Sequence, residues 1–237
     1  MRSRIGLKAL GLAALVVGVM AIGAGAAQAS TWMVGGVNLA ANAESAAVEG
    51  SLENNDGALL TTISSLAIKI LCTSGTFENV KLKGTDTTSN GKVLFEGCEV
   101  YKDSNGEALH CGVHTSGSAA GIIKTTEGHG LVELHNNATN APDELATLVI
   151  PNNAESRFAT LLTSGCTLPE VVPVFGSLAL RDCEGKGEVE QATHLVVELP
   201  ALSHVFVISD TAEHAAKLVG SANVSLNGGA AFRALKE

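Results

Sequence analysis

Seven histidines, five cysteines and 24 acidic residues are the side chains through which this 237-residue chain could do chemistry. The histidines are not spaced as metal ligands. His110 and His114 would share one face of a helix, but in a strand four residues span ~13 Å, too far for one ion to bind both. His129 and His135 border an apolar run, and His194, His204 and His214 stand ten apart with no His-Glu-x-x-His or Glu-x-x-His pattern around them. All read as surface or turn positions, and no metal site is predicted. Among the acids, Glu96, Glu99, Glu133 and Glu198 fall in strand-like runs, where a pair meeting in space would suit glycoside cleavage. Acidic residues in strands more commonly form the solvated face of a sheet. Asp103-Ser104-Asn105-Gly106-Glu107 has the flavour of a calcium loop, but it lacks the twelfth-position Glu and fits a hairpin turn better. There is no Gly-x-Ser-x-Gly elbow, phosphate loop or dinucleotide fingerprint. No catalytic residue and no cofactor are expected.

The cysteines carry more. Cys72, Cys98, Cys111, Cys166 and Cys183 belong to a chain that reads as exported, and an oxidising compartment makes disulfides the default. If Asp103-Ser104-Asn105-Gly106 is a four-residue loop with Gly106 left-handed, Lys102 pairs with Glu107 and the register sets Cys98 opposite Cys111. Leu94, Val100, Leu109 and Val113 then share their face, which predicts a buried cross-strand disulfide. Cys166 and Cys183 flank Pro169 to Arg181 and would close a second loop; Cys72 with Cys166 is the close alternative. An odd count leaves one thiol outside any intramolecular bond. A buried, inert place is its expected fate, as in the apolar strand Ile68-Lys69-Ile70-Leu71-Cys72, with no histidine identifiable as an activating base.

Around these cysteines runs the order Ile70-Leu71-Cys72, Val93-Leu94-Phe95-Glu96-Gly97-Cys98, Leu109-His110-Cys111, then Cys166-Thr167-Leu168-Pro169 leading to Val174-Phe175-Gly176-Ser177. From roughly Trp32 to Leu226 the chain resembles uncharacterised exported proteins of high-GC soil actinobacteria. The resemblance implies export and a shared β-fold and brings no activity or site residues with it. It also implies Cys98 with Cys111 and Cys72 with Cys166, leaving Cys183 odd.

The elements that must position these residues begin after a leader. Arg2, Arg4 and Lys8 form a positive region, Ala9 to Gly23 an apolar run, and Ala27-Gln28-Ala29 a small-x-small cleavage site, so residues 1–29 are expected to be a secretory signal peptide and the mature chain to start at Ser30. The apolar run barely approaches the ~20 residues of a spanning helix, and no later run does, so no integral membrane segment is expected after cleavage. Removing the leader takes three of the 15 Lys and Arg and none of the 24 Asp and Glu, leaving 12 against 24, a net −12. That disfavours nucleic acid, whose binding rests on neutralised phosphates, and anionic lipid as partners. One Trp, one Tyr and six Phe leave little for stacking on sugars or for the aromatic girdles of an outer-membrane barrel.

No Pro-rich or Gly/Ser-rich linker divides residues 30–237, which read as a single β-rich domain; the polar stretch Asn136 to Asp143 is the one candidate seam. Short apolar or alternating runs recur from Leu59 to Leu235, punctuated by Asn55-Asp56-Gly57, Ser89-Asn90-Gly91, Ser104-Asn105-Gly106 and Asn227-Gly228-Gly229. The pattern predicts an all-β fold, an antiparallel sandwich or closed barrel of about a dozen short strands. At most one short helix is expected, near 211–218, where Asp210-Thr211-Ala212-Glu213 forms a capping box. A Gly-Ser echo at Gly50-Ser51, Gly176-Ser177 and Gly220-Ser221 lacks a fixed period and reads as strand bends. Together these features predict an exported, non-catalytic structural or interaction protein, at the cell surface or in the medium, with an envelope or extracellular partner. A secreted hydrolase whose carboxylates assemble only in three dimensions is the competing reading.

Overall fold

The computed structural model describes residues 31–55, 57–85, 87–135, 144–183 and 189–235. The leader and the candidate seam at 136–143 lie outside the described residues. Among those residues the chain forms β1 (Thr31–Val34), β2 (Val37–Asn38), β3 (Glu44–Leu52), β4 (Gly57–Ile63), β5 (Leu66–Cys72), β6 (Ser74–Glu78), β7 (Lys81–Lys83), β8 (Lys92–Glu96), β9 (Glu99–Lys102) and β10 (Gly112–Thr115). It continues through β11 (Ile123–Lys124), β12 (Gly128–His135), β13 (Glu144–Pro151), β14 (Arg157–Ser164), β15 (Val171–Asp182), β16 (Thr193–Glu198), β17 (His204–Ser209), β18 (Ala212–Val219), β19 (Ser221–Leu226) and β20 (Phe232–Leu235). One turn of 3-10 helix, Glu53–Asn55, separates β3 from β4. The fold is all-β and antiparallel, as the periodicity predicts, and sandwich-like; the sheets do not close into a barrel.

The sheet is organised as five lanes. In order across the sheet they are β3 running into β4, β18 running into β19, β16 running into β17, the single long strand β15, and β13 running into β14. Neighbouring lanes are antiparallel throughout. Every lane breaks or bends at one level: the 3-10 turn, Gly220, residues 199–203, Gly176 and residues 152–156. Gly176 and Gly220 both have φ +115, and a Cβ on Gly176 would lie 1.6 Å from the His204 carbonyl oxygen, so only glycine lets β15 bend here. The Gly-Ser echo at these two positions therefore marks bends. Below this level β12 and β7 flank the lanes, and above it β5, β9 and β10 do. Two three-stranded sheets complete the structure, β2-β1-β20 and β11-β8-β6.

Side-chain alternation explains which face turns inward. In β5, Ile68, Ile70 and Cys72 are buried while Ala67, Lys69 and Leu71 face outward; in β14, Ala159, Leu161 and Thr163 are buried in the same rhythm. The upper half gathers Ile63, Ile68, Val100, Val113, Val172 and Val207 into one apolar cluster. The lower half gathers Trp32, Val48, Leu82, Val132, Leu226 and Phe232 into another. Burying each such side chain contributes roughly 1.5–3 kcal/mol.

Two expectations are corrected. Residues 212–219 form strand β18, not a helix, because Asp210 and Thr211 have φ 51 and 67 and make a two-residue hairpin turn that pairs Ser209 with Ala212. The strand alternates, with His214, Ala216 and Leu218 half-buried and Ala215, Lys217 and Val219 exposed. The Asp210 carboxylate accepts a hydrogen bond from the Ser64 hydroxyl, where a capping box would have used it on a helix N-terminus.

The second correction concerns the disulfides. The Lys102–Glu107 hairpin forms with the expected register: Lys102 N–H donates to the Glu107 carbonyl, Leu109 N–H to that of Val100, and Gly106 has φ +70. The register stops at His110, whose φ of 52 turns the chain away. Cys98 N–H then donates to Gly121, and β10 pairs with β14. Cys98 is consequently bonded to Cys72, 26 residues earlier, and Cys111 to Cys166, 55 residues later. Neither Cys98–Cys111, Cys72–Cys166 nor Cys166–Cys183 forms. Cys183 lies exposed outside both disulfides, and Cys72, in the apolar strand expected to hold an odd buried cysteine, is bonded.

Candidate functional site

The inner faces of the lanes do not meet their cover completely. Between the two apolar clusters lies a cavity of about 340 Å³, walled on one side by Leu180, Val196, Ala222 and Val224 of the lanes and on the other by Phe77, Val93, Phe95 and Ile123. Those last four sit on one face of the small β11-β8-β6 sheet, since Phe77 pairs with Val93 and Phe95 with both Gly75 and Ile123. The Cys72–Cys98 disulfide ties the chain entering this cover to the chain leaving it. Glycines make room for the rings and branches: a Cβ on Gly50 would strike the Phe77 ring at 2.3 Å and one on Gly57 would strike Leu52 at 2.7 Å. Trp32 reaches the lower end of the cavity, with its ring 6.3 Å from that of Phe232 and its Nε1 donating to the Thr87 carbonyl at 3.2 Å.

Three ionisable residues stand on the lane side of this wall. Asp182 and His194 are 6% and 5% exposed, and His194 Nδ1 meets Asp182 Oδ2 at 2.7 Å. His194 Nε2 lies 2.7 Å from the Phe232 carbonyl oxygen, which can only accept, so Nε2 carries a hydrogen and donates it. The ring also packs 4.2 Å from that of Phe232. Both nitrogens are thus engaged, and neither is open to a substrate or nucleophile. The pair resembles an acid–histidine dyad in composition only; it holds β15, β16 and β20 together. Its burial corrects the expectation that His194 is a surface or turn residue: it alternates with Val196 and Glu198 on the inward face of β16.

Glu198 is the third. Its Oε2 is shut from solvent without a hydrogen-bond partner. Burial pushes the carboxyl above its ordinary range, and outweighs the opposing influence of the Ser203 hydroxyl, the Leu218 backbone N–H and the Lys217 charge.

The remaining sequence candidates do not gather. Glu96 is exposed at the end of β8 beside Ser74, and Glu99 accepts from the Tyr101 hydroxyl at 2.5 Å, an interaction that raises the Tyr101 pKa. The Glu133 side chain lies outside the described residues. Glu198 lines the cavity while Glu96 and Glu99 do not. His110 is exposed, His129 Nδ1 contacts Asn152 Oδ1, and His204 packs edge-on against Phe206 at 5.4 Å. The Asp103–Glu107 segment is a hairpin tip closed by Lys102 Nζ to Glu107 Oε2 at 2.7 Å. Among the described residues no group of three or more His, Cys, Asp or Glu is arranged to hold a metal. No family model matches the chain, and no curated protein and no solved structure shows a significant likeness to it.

Proposed function

We propose that this chain is exported and works by binding rather than by transformation, as a structural or interaction protein at the cell surface or in the medium. The observation that carries the second half is the closure of His194 between Asp182 and the Phe232 carbonyl: the one buried acid–histidine pair among the described residues is spent on structure. Export is supported by the charged, apolar and small-x-small leader and by two disulfides, which persist in oxidising compartments. Among the described residues no helix is long and apolar enough to cross a membrane.

The test has two arms. Intact mass of the mature protein is expected to begin at Ser30. Co-sedimentation of the oxidised chain with the producer's purified envelope, over a range of salt, is expected to show saturable, salt-resistant binding. Absence of binding together with turnover of a soluble polymer, abolished by Glu198→Gln, would transfer the function to a hydrolase.

A further inference from the structure

We propose that the partly open cavity between the lanes and their cover is a binding site for one small, uncharged, hydrocarbon-like molecule of about a dozen heavy atoms, an inference that gives the interaction reading a ligand. Native interiors pack to crystal density, and an unfilled space destabilises in proportion to its volume. A cavity of about 340 Å³ is far above the void a well-packed domain of this kind needs, and lies within the range of small-molecule sites. An apolar cavity of roughly 150 Å³ takes benzene, so this one accommodates about twice that many atoms.

The wall decides the chemistry. Val93, Phe95, Ile123, Val196, Ala222 and Val224 present carbon, and the ionisable residues beside them offer a ligand little. Asp182 and His194 bond each other, Glu198 Oε2 is shut from solvent, and the other ionisable residues of the lining are engaged outside it, Lys92 with Glu127, His129 with Asn152 and Arg233 Nε with Met33 Sδ. A charged or strongly polar head would have to shed its water without finding a partner, which costs several kcal/mol of affinity on any transfer scale. The cavity is therefore selective against charge. At Gly50, Gly57 and Gly75 the space a Cβ would take is occupied or crowded by Leu52, Phe77 and Phe95, so these side chains pack closely on the backbone and form the walls.

Trp32 is the chain's single tryptophan and lines the cavity, so its fluorescence reports occupation directly. The experiment titrates the full oxidised protein with n-decane and with decanoate at pH 8, following both Trp32 emission and melting temperature. Decane is expected to give a saturable emission change and a concentration-dependent rise in melting temperature. Decanoate is expected to bind at least about tenfold more weakly. Val196→Phe and, separately, Ala222→Leu project into the cavity and are expected to weaken decane at least about tenfold. A cooperative melt of each variant, at or above the wild-type temperature, confirms that it is folded. The proposal is overturned if decane produces neither response in the wild type, if decanoate binds as well as decane, or if both folded variants bind decane unchanged. Any of these results leaves the interaction reading to the envelope experiment, and failure of that experiment leaves this one standing.

Discussion

Ser64 donates a hydrogen bond from Oγ to Asp210 Oδ2 at 2.6 Å, tying the tip of the β4–β5 hairpin to the tip of the β17–β18 hairpin. The Ser209 hydroxyl reinforces the link by accepting from Ser64 N–H at 3.4 Å. Both turns are two residues long with positive φ at both positions, Ser64 and Ser65 in one, Asp210 and Thr211 in the other. Neither contains the glycine that such turns favour.

Thr211 is the most strained of the four, being β-branched at φ 67. Thr211→Gly is expected to raise stability by about 1 kcal/mol, read as a higher urea midpoint at unchanged slope. Loss of stability would mean that the Thr211 methyl or hydroxyl contributes more than the backbone strain costs.

Peptide mapping of unreduced protein is expected to show Cys72 joined to Cys98 and Cys111 to Cys166, with Cys183 in neither peptide pair. Replacing Cys72 and Cys98 together by Ala is expected to cost about 3 kcal/mol in guanidinium unfolding, and Cys183→Ser is expected to leave the map unchanged. A Cys98–Cys111 peptide would contradict the chain path at His110.

Asp182 and His194 make their contact in the interior, where removal of Asp182 leaves His194 Nδ1 buried without this partner while Nε2 keeps the Phe232 carbonyl. Asp182→Ala is expected to lower stability by roughly 3–5 kcal/mol. A thermal melt within about 1 kcal/mol of wild type would show that His194 finds another partner.

Glu198 ties stability to pH. Because burial raises its carboxyl above the ordinary value of 4.5, the folded state holds the proton more tightly than the unfolded one. Stability contributed by this group is present at low pH and is lost as pH rises from the ordinary carboxyl value through the raised one. Glu198→Gln removes that loss, so its melting temperature relative to wild type is expected to be higher at pH 8 than at pH 4. A difference that stays constant over this range would dissociate Glu198 from the effect.

The sequence carries the class of this fold well and its connectivity poorly. The Lys102–Glu107 hairpin is legible because Asn105-Gly106 is a strong turn signal and the register follows by counting. The count fails four residues later, at His110, since nothing in its type announces a positive φ. The same cause hides the Asp210-Thr211 turn: without glycine, a capping-box pattern outranks it, and a strand of Ala, Glu, His and Lys reads as helix. The cavity is illegible for a different reason. Its wall residues come from alternating strands that the periodicity does identify, but how far two inner faces stand apart depends on which glycines oppose which rings, as with Gly50 and Phe77. His194 was readable in part, since it shares the inward face of its strand with Val196; its isolation from any motif pointed to the surface instead.

The outermost strands of the chain also set the timetable of its folding. β1 is paired with β20, β3 with β19 and β4 with β18, so each of these early strands takes one neighbour from the end of the chain and the other, β2, β7 or β5, from nearby in sequence. A ribosome or a translocation pore delivers residues 31–63 long before residues 212–235, and until then one edge of each of these strands stays without its partner. Such long-range pairing makes for slow closure. If the chain is exported as proposed, this delay is an advantage, because a polypeptide that cannot finish its sheet until its final strands arrive remains threadable until it has crossed.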